Sequence, residues 1–214
     1  MNAGKREWGF LRETTAAALD AGRDADTGVC RTGLDKYLEV IFPDVDDWIH
    51  DKSIGREYNG RRLKIRPDYR SDAKMLIVEF DGIQHYTDPL KIKKDAENCR
   101  IYSDLGYQVV RIPYFIQLSN DAVRELFGVE VGEQLFDETV PSMGEKGRNT
   151  HAFLCPAGLV RMAREFCRFP KQYQVNMAAL ENIGDEFISG AGALKAEYLR
   201  QHEDAVGARQ ARGV

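Results

Sequence analysis

Three acids and a histidine lie within a short stretch of this chain, Asp68, Glu79, Asp81 and His85, and they carry the types and spacing that chemistry needs. Asp68 follows Pro67 in a basic, strand-like run, RRLKIRPDYR; eleven residues later Glu79 and Asp81 close the run KMLIVEFD. Side chains alternate along a strand, so Ile77, Glu79 and Asp81 share one face while Val78 and Phe80 share the other. Two carboxylates on one face at the exit of a buried strand repel each other and lose hydration. A divalent cation between them relieves both effects. Mg²⁺ suits such a place, with Mn²⁺ as a substitute, because it takes few carboxylate oxygens and keeps waters for reaction. Gly82 lets the backbone turn sharply, and Gln84, His85 and Tyr86 follow at once. Taken singly, Asp81-Gly82 also reads as a plain strand-end turn and His85 as a surface side chain. The combination points to a site.

The elements that must position these groups can be read from periodicity. Leu34, Tyr37, Leu38 and Ile41 recur at helical spacing, with Thr32 available as a cap and Pro43 closing the segment. A weak apolar alternation at Trp48, Ile49 and Ile54 comes next, followed by a strand in which Leu63 and Ile65 alternate with cations. Residues 74–80 predict a strand buried on both faces. Residues 89–105 place Leu90, Ile92, Ala96, Cys99 and Leu105 along one helical stripe, ended by Gly106. Residues 107–113 predict a further strand rich in β-branched side chains. The order is helix, three strands, helix, strand, an α/β core.

Composition bounds the rest. The chain has 214 residues, 43% hydrophobic and 30% charged, with 30 basic and 34 acidic side chains for a net charge of −4. That excludes an all-over basic coat and leaves room for a local basic groove. Residues 51–70 supply one, with seven cations against three acids. No apolar run is long enough to span a bilayer, the opening MNAGKREWGFLRE has no apolar signal core, and the four cysteines are scattered. The expectation is a cytoplasmic protein with no membrane partner. Four regions are expected: an N-terminal helical segment at 1–32, the α/β core at 33–127, a linker or irregular arm at 128–150, and a helical C-terminal region at 151–214.

The run RPDYR…LIVEFDGIQHY…D(x4)R…LGYQVVRIPY resembles the PD-(D/E)xK, or restriction-endonuclease-like, superfamily. More narrowly it is similar to the very-short-patch-repair-like and DUF559-type branch, with its E-x-D-G-x-x-H segment. The resemblance covers about residues 33–115. It implies a restriction-endonuclease-like core with a helical C-terminal extension, and a Mg²⁺-dependent endonuclease acting on DNA, with RNA left open. By position it implies Asp68 and Glu79 as metal ligands. Asp81 replaces the superfamily's usual Lys and is counted as a third ligand. His85 becomes the candidate general base, with Gln84 beside it and Glu39 as an additional acid. Asp95 resembles a final acid of related nucleases, or is simply a helix-surface partner of Lys91 or Arg100. Arg61, Arg62, Lys64, Arg66 and Arg70 would track phosphates, and Lys91, Lys93 and Lys94 would share the charge of the reacting one. The departure at Asp81 keeps alive a module that binds nucleic acid without cutting it, and a bland α/β interaction domain remains a third reading. Cleavage of both strands would need a homodimer, which the C-terminal helices could supply.

Overall fold

The structure is a computed structural model that describes residues 34–132, 135, 141–144 and 154–211. The N-terminal helical segment expected at 1–32 lies outside the described residues, as does the Thr32 cap. The chain opens with α1 (Leu34–Ile41), followed by β1 (Ile49–His50), β2 (Glu57–Tyr58), β3 (Arg61–Arg62), β4 (Tyr69–Ser71) and β5 (Leu76–Asp81). A short helix, α2 (Gln84–Thr87), leads into α3 (Pro89–Asp104), then β6 (Gln108–Pro113) and α4 (Asn120–Phe127). The C-terminal helices are α5 (Pro156–Phe166), α6 (Pro170–Glu181), α7 (Glu186–Ser189) and α8 (Ala191–Ala211). None of these helices is long and apolar enough to cross a membrane.

Four strands make a mixed sheet in the order β1-β4-β5-β6. The pairs β1–β4 and β4–β5 are antiparallel, whereas β5 and β6 run parallel, from Leu76 opposite Gln108 to Asp81 opposite Pro113. A parallel pair needs a crossover, and α2 with α3 provides it. The period-two expectation for β5 holds. Leu76 and Val78 enter the main core with Leu34, Tyr37, Leu38 and Ile41 of α1. Ile77 points the other way, into a smaller cluster with Ile54, Tyr102 and Tyr107. Glu79 and Asp81 therefore emerge on the α3 side of the sheet.

The ends of α3 follow from local chemistry. The Asp88 side chain caps it by accepting from the Leu90 N–H at 2.9 Å, and Pro89 needs no partner in the first turn. At the other end Gly106 adopts φ +88°, which lets the N–H of Tyr107 reach the Tyr102 carbonyl at 3.0 Å and sends the chain straight into β6.

One expectation needs correction. Leu63 and Ile65 do not enter the main sheet; Arg61–Arg62 pairs with Glu57–Tyr58 as a separate hairpin, and Leu63 and Ile65 pack onto the Ile77–Tyr102 cluster. The paired part of that strand begins at Tyr69. Where described, the arm at 128–150 packs on the core: Leu135, Ser142 and Met143 are buried, and the Ser142 N–H donates to Asn176 at 2.8 Å. The C-terminal helices share that core, where Met162, Phe166, Leu180 and Leu194 meet α1 and the sheet.

Candidate active site

The antiparallel register of β4 on β5 sets Tyr69 opposite Val78, both in the main core, and so turns the preceding Asp68 and the following Glu79 toward the same, opposite face. The Asp68 carboxylate accepts from the Phe80 N–H at 2.7 Å, and the Asp68 N–H donates to a Glu79 carboxylate oxygen at 3.3 Å. The other Glu79 oxygen accepts from the Tyr102 hydroxyl at 3.0 Å. Burial and then the charge of Asp68 push the Glu79 carboxyl up to about 7. Burial also raises Asp68, outweighing the Phe80 hydrogen bond. Neither carboxylate has a cation within 4 Å among the described residues.

Asp81 stands in a different environment from the one expected of a third ligand. It has no solvent exposure, and its two oxygens are taken by guanidinium groups: Arg111 Nε at 2.8 Å with a second, shorter contact from Nη2, and Nη2 of Arg161. Arg111 reaches it from the parallel neighbour strand, where it lies opposite Glu79. Asp95 of α3 closes the cluster, with Arg111 at 3.3 Å and Arg161 at 3.0 Å. Ligand atoms of Asp81, His85 and Asp95 lie within 4.8 Å of one another, a span one metal ion could bridge. Two arginines already deliver positive charge there, however, so the group is balanced without an ion. Asp68 and Glu79 are not.

His85 is fixed from one side of its ring. Nδ1 lies 2.7 Å from Asp95 and 3.3 Å from Asp81. A carboxylate can only accept, so in this pairing Nδ1 is the donor and Nε2 is the ring nitrogen left to face the cleft. Burial presses the Asp95 carboxyl upward, yet the His85 hydrogen bond and the Arg111 charge hold it below the usual carboxylate range. The helix-surface role considered for Asp95 is thus excluded: it is a buried partner of His85, Arg111 and Arg161.

A cleft of about 440 Å³ gathers Arg66, Asp68, Glu79, His85, Lys91 and Lys94 on its walls. Gln84 and Glu39 are exposed and do not line it; Gln84 accepts from the Lys91 ammonium at 3.3 Å. Arg61, Arg62, Lys64 and Lys93 are also exposed, whereas Arg66 pairs with Asp51 at 2.7 Å. Arg70 must be corrected. It is buried at 7% exposure and pairs with Asp72 at 3.0 Å, so it has no face to offer a phosphate.

Arg111 and Arg161 escaped the reading of the sequence. Arg111 had a usable signal, a lone cation inside the apolar strand QVVRIP. Arg161 had none: it is one of two arginines in the α5 segment PAGLVRMAREF, and nothing local sets it apart from the other. No protein-family model, curated protein or solved structure matches this chain.

Proposed function

We propose that this chain is a divalent-metal-dependent endonuclease that hydrolyses phosphodiester bonds in DNA, built on a restriction-endonuclease-like core. The Asp68–Glu79 pair carries the reading. Two half-buried carboxylates from neighbouring strands, both displaced toward protonation and neither in an ion pair among the described residues, are relieved by protonation or by an ion that joins them. The helix, mixed four-stranded sheet and crossover helix around them also support it.

In this reading Asp68 and Glu79 hold Mg²⁺ or Mn²⁺, which when bound supplies Lewis acidity toward the scissile phosphate and the attacking water. His85 takes the proton of that water at Nε2 while Asp95 accepts Nδ1–H and holds the ring in the productive tautomer. Lys91 and Lys94 offset the negative charge of the bound phosphate from the cleft wall. Asp81 anchors the arginines that frame the ring and takes no part in the chemistry.

One observation favours a second reading, a nucleic-acid-binding module without turnover: the place where the resemblance implies Lys holds Asp81, turned away from the cleft. Supercoiled plasmid with Mg²⁺, incubated with the wild type, Asp68→Asn and Glu79→Gln, separates the two. The endonuclease nicks as wild type only. Equal nicking by all three, or none by the wild type, overturns the assignment; salt-sensitive binding that ignores both Mg²⁺ and His85→Ala supports the module.

A further inference from the structure

Helix α5 lies against the short helix that carries His85 with almost no space between the two backbones. A Cβ placed on Gly158 would sit 1.7 Å from the Tyr86 carbonyl oxygen, so only glycine allows this approach. The same oxygen accepts from the N–H of Cys155 at 3.2 Å and from its thiol at 3.3 Å. The start of α5 is in this way bonded to the peptide next to His85.

One turn further along α5, Arg161 reaches into the charged cluster. Its Nη1 donates to the His85 carbonyl at 3.3 Å and to Asp95 at 3.0 Å, and its Nη2 donates to Asp81. Its Nε is held by Glu165 at 3.0 Å, and Glu165 in turn accepts from the Tyr86 hydroxyl at 2.6 Å. The guanidinium lies 4.9 Å above the Tyr86 ring. Three bonds of this planar fork therefore end on the His85 carbonyl or on the two carboxylates beside its ring, and the fourth ends on Glu165, which holds Tyr86. Arg161 does not line the cleft itself.

We infer that Arg161 is a positioning residue for His85, so that the C-terminal helices, without lining the reacting cleft, fix a group that does; the inference rests on the endonuclease reading for its kinetic consequence. Arg111 alone leaves Asp95 Oδ2 with the imidazole as its only partner and Asp81 Oδ2 with a single donor. Two like charges beside Nδ1 then share a single cation, and the ring loses its one fixed orientation. Arg161 supplies the second cation, and because it also grips the His85 carbonyl it orients backbone and side chain together. Displacements of about 1 Å at a reacting group lower turnover by roughly 100-fold.

The test compares full-length wild type, Arg161→Met, Arg161→Lys and, as a control on the exposed side of α5, Arg164→Met. Nicking is measured with Mg²⁺, DNA affinity separately, and His85 ring nitrogens by ¹⁵N NMR. The expected result is a wild-type His85 with protonated Nδ1 and bare Nε2, lost in Arg161→Met. Turnover in that variant falls roughly 10- to 100-fold with affinity nearly unchanged, Arg161→Lys or added guanidinium restores part of it, and Arg164→Met behaves as wild type. A folded Arg161→Met with wild-type turnover and an unchanged His85 pattern overturns the inference and leaves the endonuclease reading standing. If the wild type does not nick, the endonuclease reading fails and the NMR pattern alone decides for or against Arg161. If Arg161→Met does not fold, the Lys variant decides: a wild-type His85 spectrum and turnover overturn the inference, and an intermediate pattern supports it.

Discussion

Glu79 receives the backbone N–H of Asp68 at 3.3 Å, so the first acid of one strand is bonded to the side chain of the acid on the next. The bond joins the two carboxyl-bearing residues but does nothing to neutralise them. Burial and the Asp68 charge raise the Glu79 carboxyl from 4.5 to about 7. A folded pKa above the unfolded one means that the group's contribution to stability is intact below about 4.5 and is lost as pH rises through about 7. The metal-free protein should therefore lose stability between pH 5 and pH 8, by on the order of 3 kcal/mol at most from this group. Thermal melts check it: Glu79→Gln flattens the pH dependence, and Mg²⁺ stabilises the wild type more at pH 8 than at pH 5. Parallel curves for the two proteins with no Mg²⁺ effect would refute the assignment.

Asp95→Asn tests the charge balance around His85. The amide oxygen still accepts from Nδ1, but Arg111 and Arg161 are left sharing one carboxylate fewer. Breaking a buried pair by removing one partner costs about 3–5 kcal/mol; chemical denaturation should show a loss at or somewhat below that range, since the arginines keep Asp81. Plasmid nicking should fall as well, at unchanged DNA affinity.

Gly158→Ala tests the docking of α5. The added methyl collides with the Tyr86 backbone, which cannot yield as a flexible side chain would. Overpacking of this kind typically costs 1–3 kcal/mol, or more where backbone must move. Calorimetry should show a lowered Tm, and hydrogen exchange should show faster opening at Tyr86 and Cys155, whose bonds hold the junction.

Salt dependence separates cleft cations from structural ones. Lys91→Ala and Lys94→Ala should each weaken DNA binding and reduce the slope of log affinity against log salt by about 1. Arg70→Ala should leave that slope unchanged and lower the Tm instead, because Arg70 is buried against Asp72. Fluorescence anisotropy at several salt concentrations reads both effects.

The sequence alone determined what is local. Helical spacing of Leu34, Tyr37, Leu38 and Ile41 places α1, and the period of two in 76–81 puts Glu79 and Asp81 on one face, because side-chain direction along a strand depends only on the chain's own pleat. That Asp68 stands beside Glu79 was legible in the same way, once antiparallel pairing of the two strands is assumed. Which acid would be neutralised was not legible. Asp81 is saturated by Arg111 from a parallel strand and by Arg161 from eighty residues away, whereas Glu79, two residues earlier on the same face, has no such partner. Arg70 is likewise buried, paired with the exposed Asp72. Periodicity says which way a side chain points, and only the packing of distant helices against the sheet says what it meets there.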